Sequence, residues 1–454
     1  MSKSLTLYPT TSSQNMMFLN LKYSYIKSVV NICSMVHFDC EMDSSLLLQA
    51  CYVGALRNKA TSIRLSMENK ELKQYFSEKA PEQIEVLDYS DKSEEELNQA
   101  IDQWSKMKFP NKSLDTQLYK VKLILKPNGF YSLYFCVSHV IFDAYSIMAT
   151  VKDILEIYVA LRDGTAIPKP IPSPIAAYEA DFAYGESAQH KKDYDFWYNE
   201  VFDTEPTYTT INGKESKEAP KKEKKYGTTL RLWQVKADFV DLVIKKELND
   251  RVQSFAVEKR ISPQCLYLLA ARTFLSKVND TEDVVFYNTV ARRATKLQKR
   301  AGGTFVHAIP FRSRFSNEIS FMEGCERMSD YQYKYYRHAN IPSTEVISMA
   351  REKFKAPACK GYHSLSITYQ PYFSIGNDDI PVHFSRHSNG AATMPLYLSI
   401  MPYDQSGDLV CNYEYIKGFM NPKRIAVFHN FMVAFLDKGL DNPEITLAEL
   451  MAIV

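Results

Sequence analysis

Glycine is scarce in this chain, at 15 of 454 residues. There is no GxxxxGK(S/T) stretch and no GxGxxG following a strand, so phosphate-cradling backbone loops are missing and nucleotide chemistry is disfavoured. HExxH and GxSxG are also absent, which removes the zinc-peptidase and nucleophile-elbow readings. The eight cysteines (Cys33, Cys40, Cys51, Cys136, Cys265, Cys325, Cys359 and Cys411) form no CxxC pair and no Cys/His cluster. That pattern implies a reduced, intracellular chain without structural zinc, and no metal is expected. No run of about 18 apolar residues occurs, and the N-terminus has no long apolar core. A net charge of +2 gives no reason to expect nucleic acid or a membrane surface as partner. The expected location is the cytoplasm.

The length suits one large or two medium domains. Thr10 to Ser13 offer N-caps for a short helix after Pro9. Val29 to Phe38 is β-branched and apolar, a buried strand, and Asp43 or Ser44 caps a helix carrying Leu46, Leu47, Ala50, Val53 and Leu56 on one face. Leu118 to Lys126 alternates, Pro127-Asn128-Gly129 turns, and Phe130 to Ser138 alternates again, a β-hairpin. From Ile147 to Leu161 the period is helical, and Gly164 stands where a helix end takes a left-handed residue. Prolines 168, 170, 172 and 174 form a stiff segment and mark a boundary between residues 1–174 and 175–454. Gly213 to Gly227 reads as a solvated, lysine-rich loop. Further on, Phe239 to Val257 reads as helix, as do 263 onward, 322–337, 343–353, 422–437 and 444–452. Strands fit Val284 to Val290, Thr304 to Phe311, Ser364 to Tyr369, Leu396 to Met401 and Leu409 to Tyr415. His383 and His387 have i, i+4 spacing, but their surroundings read as an irregular loop rather than a metal-binding helix.

The hairpin ends on Ser138-His139-Val140-Ile141-Phe142-Asp143-Ala144-Tyr145-Ser146, a tight strand-to-helix connection. A neutral imidazole, titrating near ~6.5, can take a proton from an attacking amine or alcohol. A histidine at a strand end can equally be a satisfied structural residue, and HxxxD alone leaves both readings open. Asp143 need not touch a substrate; it can hold the loop by pairing with an arginine.

In its motifs the chain resembles the condensation-domain superfamily, that is, the condensation domains of nonribosomal peptide synthetases and the free-standing acyltransferases related to them. The family's HHxxxDG stands here as Ser138-His139-Val-Ile-Phe-Asp143-Ala144. Leu7-Tyr-Pro-Thr-Thr-Ser-Ser-Gln14 is similar to the family's opening stretch. Asp43 to Leu65, Thr289-Val-Ala-Arg-Arg293 and Gly303 to Arg312 follow in family order, then Asn412-Tyr-Glu-Tyr415. The motif lies in the first third of the chain, unlike chloramphenicol acetyltransferases, and the DFGWG of plant acyltransferases is missing. The resemblance implies an α/β fold of two chloramphenicol acetyltransferase-like lobes in a V, with the active site in the tunnel between them. It implies an acyltransferase forming an amide or ester from a pantetheine thioester, on a carrier protein or CoA, with an amine or alcohol acceptor. No cofactor would be bound by the protein itself, and an acyl or peptidyl carrier protein would be the partner. His139 matches the catalytic base and Asp143 the structural aspartate, with Arg293 as its partner or else Arg64. Ser138, Ala144 and Tyr145 are candidates for the substrate channel. Ser138 replaces the first histidine, Ala144 the glycine and His307 the usual asparagine. A second reading is therefore a catalytically inactive condensation-like domain that recruits carrier proteins or enzymes, sensitive to charge reversal at Lys221 to Lys225.

Overall fold

The computed structural model describes residues 6–109, 115–213, 228–229, 235–356, 360–370 and 380–454. Lys221 to Lys225, and all but the first residue of the lysine-rich loop, lie outside them. The chain forms two units. One comprises Met1–Glu186, Ala291–Val306 and Phe373–Ala391; the other comprises Ser187–Val290, His307–Tyr372 and Ala392–Val454. The sequence suggests one cut, after residue 174, whereas each unit takes in several segments.

The first unit is built on a five-stranded sheet. Its members are β1 (Asn31–Phe38), β2 (Glu85–Asp88), β3 (Tyr119–Leu125), β4 (Tyr131–Ser138) and β5 (Val382–His387), in the spatial order β5-β1-β4-β3-β2. Strands β3 and β4 are the hairpin expected from alternation. Gly129, at φ +82°, closes its turn by donating to the Lys126 carbonyl at 2.9 Å. Helices α1 (Ser44–Arg57) and α3 (Ala144–Arg162) pack together on one sheet face, where Gly54 lets Ile154 approach closely. A narrow cavity of about 50 Å³ remains between helices and sheet, lined by Cys51, Phe135, Val137, Phe142, Ile147 and Ile154 among others. The opposite face carries α2 (Glu94–Ser105). Its capping box at Ser93 and Glu96 fixes the start, and Leu97, Ile101 and Ser105 are its buried residues.

Strand β5 corrects the loop expected at 383–387. Val382 to His387 pairs antiparallel with Phe38 to Cys33, and His383 stacks on His37 at 4.4 Å. The polar composition carries no strand signal; the neighbouring edge of β1 supplies the order. On a strand, His383 and His387 stand about 13 Å apart, too far for one metal. Among the described residues no group of His, Cys, Asp and Glu is arranged to hold a metal ion.

The second unit has a mixed six-stranded sheet in the order His307–Arg314, Asp283–Val290, Leu365–Tyr369, Leu396–Met401, Leu409–Ile416, Ala237–Ile244. Helices Pro263–Asn279 and Pro422–Asp441 pack together through Phe274 and Phe428, rings 4.8 Å apart. Phe239 to Ile244, expected as helix, is a strand paired with Leu409–Ile416, and helix begins only at Lys246. Val240, Leu242 and Ile244 have period two, which the helical period of the residues after them obscures. Among the described residues no helix is long and apolar enough to cross a membrane.

Candidate active site

The HxxxD connection is held from within. The His139 N–H donates to the Val30 carbonyl at 2.6 Å, prolonging the β1–β4 ladder by one residue. The N–H groups of Ile141 and Phe142 both donate to the Ser138 carbonyl, at 3.0 and 3.2 Å, which turns the chain. Val140, Ile141 and Phe142 are all buried, so the three residues between His139 and Asp143 anchor the turn in the core. Moving His139 would require extracting apolar surface.

Asp143 caps α3 and is fully buried. Its Oδ1 accepts from the Ser146 N–H at 2.8 Å, the Ser146 hydroxyl at 2.9 Å and Arg293 Nη2 at 2.9 Å. Oδ2 accepts from Arg293 Nη2 at 3.0 Å and from the Phe305 N–H at 3.1 Å. Arg293 also donates to the carbonyls of Ala301 at 2.8 Å, Gly303 at 3.0 Å and Gln298. Its guanidinium lies between the rings of Phe305 and Tyr145, 4.4 and 4.8 Å from their centres. Every Asp143 lone pair is thus engaged, and Asp143 braces the loop without reaching the His139 ring. Arg64, the alternative partner, is buried elsewhere and donates to the carbonyls of Thr61 and Ile63.

Beside this pair lies another that the sequence analysis did not single out. Arg292 binds Asp181, both nearly buried, and Asp181 Oδ2 accepts from the Ser12 N–H at 2.9 Å. Consecutive arginines reach different carboxylates because Arg292 takes a left-handed conformation, φ +52°. Gly303 supplies the second backbone exception, φ +107°. A Cβ there would stand 2.1 Å from the Tyr178 hydroxyl, which accepts from the Thr304 N–H at 2.9 Å. The Arg-Arg doublet and the Gly302-Gly303 pair are the sequence signals that could have located this network.

His139 itself is half-buried, and its Nδ1 is fully buried with no hydrogen-bond partner among the described residues. The carbonyls of His139 and Phe142 lie near the ring without the alignment of a bond. Burial pushes the imidazole below its ordinary pKa; the Asp143 charge and those carbonyls oppose this and Arg386 adds to it. The ring is neutral at pH 7. Among the described residues no carboxylate orients Nδ1, which distinguishes this site from a Ser-His-Asp triad.

Ser138 is buried, and its hydroxyl accepts from the Val140 N–H at 3.4 Å, so the side chain serves the turn. Ala144 is the first residue of α3 and is half-exposed. It is not among the residues with positive φ, so a methyl group costs no backbone strain there. Tyr145 is also half-exposed and rests on Arg293. His307 belongs to the second unit, where Nδ1–H donates to the Ala339 carbonyl at 3.1 Å.

Comparison with known proteins places these features in a family. The sequence model described as Condensation domain matches residues 4–453. Surfactin synthase subunit 1 of Bacillus subtilis (strain 168) is 25% identical over 457 residues, covering 99% of this chain and 12% of that subunit. Gramicidin S synthase 2 of Brevibacillus brevis is 23% identical over 210 residues, 45% of this chain and 5% of that protein. The chain therefore spans a small fraction of these relatives. Among solved structures, the first condensation domain of the calcium-dependent antibiotic synthetase, with a substrate analogue, superposes with a TM-score of 0.83 at 18% identity, covering 98% of this chain and 99% of that one. A mutant starter condensation domain of rhizomide synthetase with C8-CoA gives 0.81 at 16% identity, covering 97% and 96%. VibH, an NRPS condensation enzyme, gives 0.75 at 16% identity, covering 97% and 98%.

Proposed function

Because this chain belongs to the condensation-domain family, we propose that it transfers an acyl group from a pantetheine thioester, on a carrier protein or CoA, to an amine or alcohol, with His139 as general base. The observation that carries this reading is a neutral, partly accessible imidazole on a turn braced by the buried Asp143–Arg293 ion pair. The rhizomide starter domain holds C8-CoA and, in another complex, C8-CoA with Leu-SNAC. A thioester donor and an amine-bearing acceptor of that kind suit this chain too.

In the proposed reaction the acceptor nitrogen or oxygen attacks the thioester carbonyl. His139 takes the acceptor's proton as the tetrahedral intermediate forms, and the imidazolium returns it to the departing sulfur. An alcohol depends on this base strongly. An amine already neutral depends on it less and gains mainly from positioning. Asp143 and Arg293 keep the turn in place and exchange no proton with substrate.

The rival reading, an inactive domain that recruits carrier proteins, rests on Ser138 and Ala144 in place of the family's histidine and glycine. One experiment separates them: intact-mass analysis of carrier-bound and CoA acyl thioesters incubated with amines and alcohols, beside His139→Ala. Product that falls roughly 10²- to 10⁴-fold in the variant, with its circular dichroism unchanged, supports the base. An equal rate in both proteins sinks the assignment of His139, and carrier binding without any turnover favours the recruiting domain.

A further inference from the structure

The sheet face beneath α2 is chemically unusual for a core. One row across it runs His387, Cys33, Cys136, Lys120, each the direct lateral neighbour of the next on β5, β1, β4 and β3. The two sulfurs lie 3.7 Å apart, and both cysteines are buried. The Cys33 thiol also lies 3.5 Å from the Ser105 carbonyl, and the Ser105 and Tyr134 hydroxyls bond at 2.9 Å above the pair.

The ladder register decides whether the pair can close. Val30 and His139 share a backbone hydrogen bond. Bonded and non-bonded pairs alternate, so Ile32–Val137 is a bonded position and Cys33–Cys136 a non-bonded one. At such positions the Cα atoms stand about 4.5 Å apart, inside the disulfide range of about 4.4–6.8 Å. Bond formation therefore requires side-chain movement and little backbone movement.

We propose that Cys33 and Cys136 are a dithiol redox site that a small hydroperoxide oxidises to a cross-strand disulfide. The Cys33 thiol gives up its proton, which ends on the departing peroxide oxygen. The Cys33 sulfur attacks one peroxide oxygen, the O–O bond breaks, and the departing oxygen leaves protonated as water or an alcohol. The Cys136 sulfur then displaces the second oxygen from the sulfenic acid, forming the S–S bond and releasing water. Two electrons and two protons leave the pair and the hydroperoxide is reduced.

The surroundings support this order of events. Burial raises both thiols, but hydrogen bonding to the Cys136, Ser105 and Tyr134 side chains outweighs it at Cys33, which lies below its ordinary value. The proton shared with Cys33, together with burial, holds Cys136 above its ordinary value. Both thiols are buried under α2, so a small hydroperoxide fits the site better than a bulky oxidant such as glutathione disulfide.

The test is chemical and independent of acyl transfer. The full chain is treated with equimolar hydrogen peroxide, alkylated, digested and mapped by mass spectrometry. The expected result is loss of two hydrogens in intact mass, a dominant peptide pair joining Cys33 to Cys136, and reversal by dithiothreitol. Cys136→Ala should instead trap Cys33 as a sulfenic acid that dimedone labels. Absence of the linked pair in oxidised wild-type protein whose circular dichroism is unchanged would overturn the proposal. So would oxidation confined to the half-buried Cys40. Glutathione disulfide forming the same link as fast as peroxide would overturn the assignment of oxidant.

Discussion

Asp143 and Arg293 illustrate how much a single side chain can hold. Both are buried, so deleting one leaves an uncompensated charge rather than merely removing an attraction. Arg293→Ala is expected to lower stability by about 3–5 kcal/mol, measured by urea denaturation. Arg293→Lys should recover little of it, since one ammonium cannot serve Asp143 and the carbonyls of Ala301 and Gly303 in the planar geometry Arg293 uses. His139 makes a separate prediction. Its folded pKa lies below the ordinary histidine value, so the base proposed for this site would stay unprotonated as pH falls from 8 towards 6.5. The acid limb of the kcat/KM profile should therefore lie below that ordinary value. An acid limb centred above pH 7 would contradict the environment described here.

At the scale of elements, the crossing from α3 to the Arg293 segment depends on close approach at Gly303. Gly303→Ala places a methyl against the Tyr178 ring and forces a left-handed backbone on alanine. A loss of about 1–3 kcal/mol or more is expected from overpacking and strain together. It should show as a lower melting temperature, only partly relieved in the double variant with Tyr178→Phe. The elements themselves were legible to different degrees. The hairpin, α1 and α3 were readable because alternation, a Pro-Asn-Gly turn and a capped apolar stripe are all local signals. His139-x-x-x-Asp143 was readable for the same reason, and family motifs pointed to Arg293. Strand β5 was not, because its histidines and serine carry no periodic apolar signal and its order comes from the edge of β1, hundreds of residues earlier. The Arg292–Asp181 pair was missed as well: the Arg-Arg doublet flags the arginine, but pairing across such a distance leaves no spacing that names its partner.

The molecule as a whole carries several histidines that are uncharged when folded. Burial pushes His37 and His363 down to about 3 and His387 to about 4, with His383 and Lys126 adding to the effect at His37. Unfolded, each titrates near ~6.5, so below that pH the unfolded chain binds more protons than the folded one. The stability these histidines contribute is therefore fully present above pH 6.5 and is lost progressively towards pH 4. Urea midpoints at pH 7, 5.5 and 4.5 should fall in that order, and His37→Gln should flatten the slope if it folds. The division of the chain has a consequence in time as well as in space. The first unit lacks its Arg293 segment and its edge strand β5 until residues far beyond Glu186 have been made. At roughly 5–20 residues per second, a nascent chain that has reached the end of α3 waits on the order of ten seconds or more before Asp143 can meet its arginine. Through that interval the carboxylate has no counter-charge and β1 has an open edge, which is when a chaperone would have most to hold.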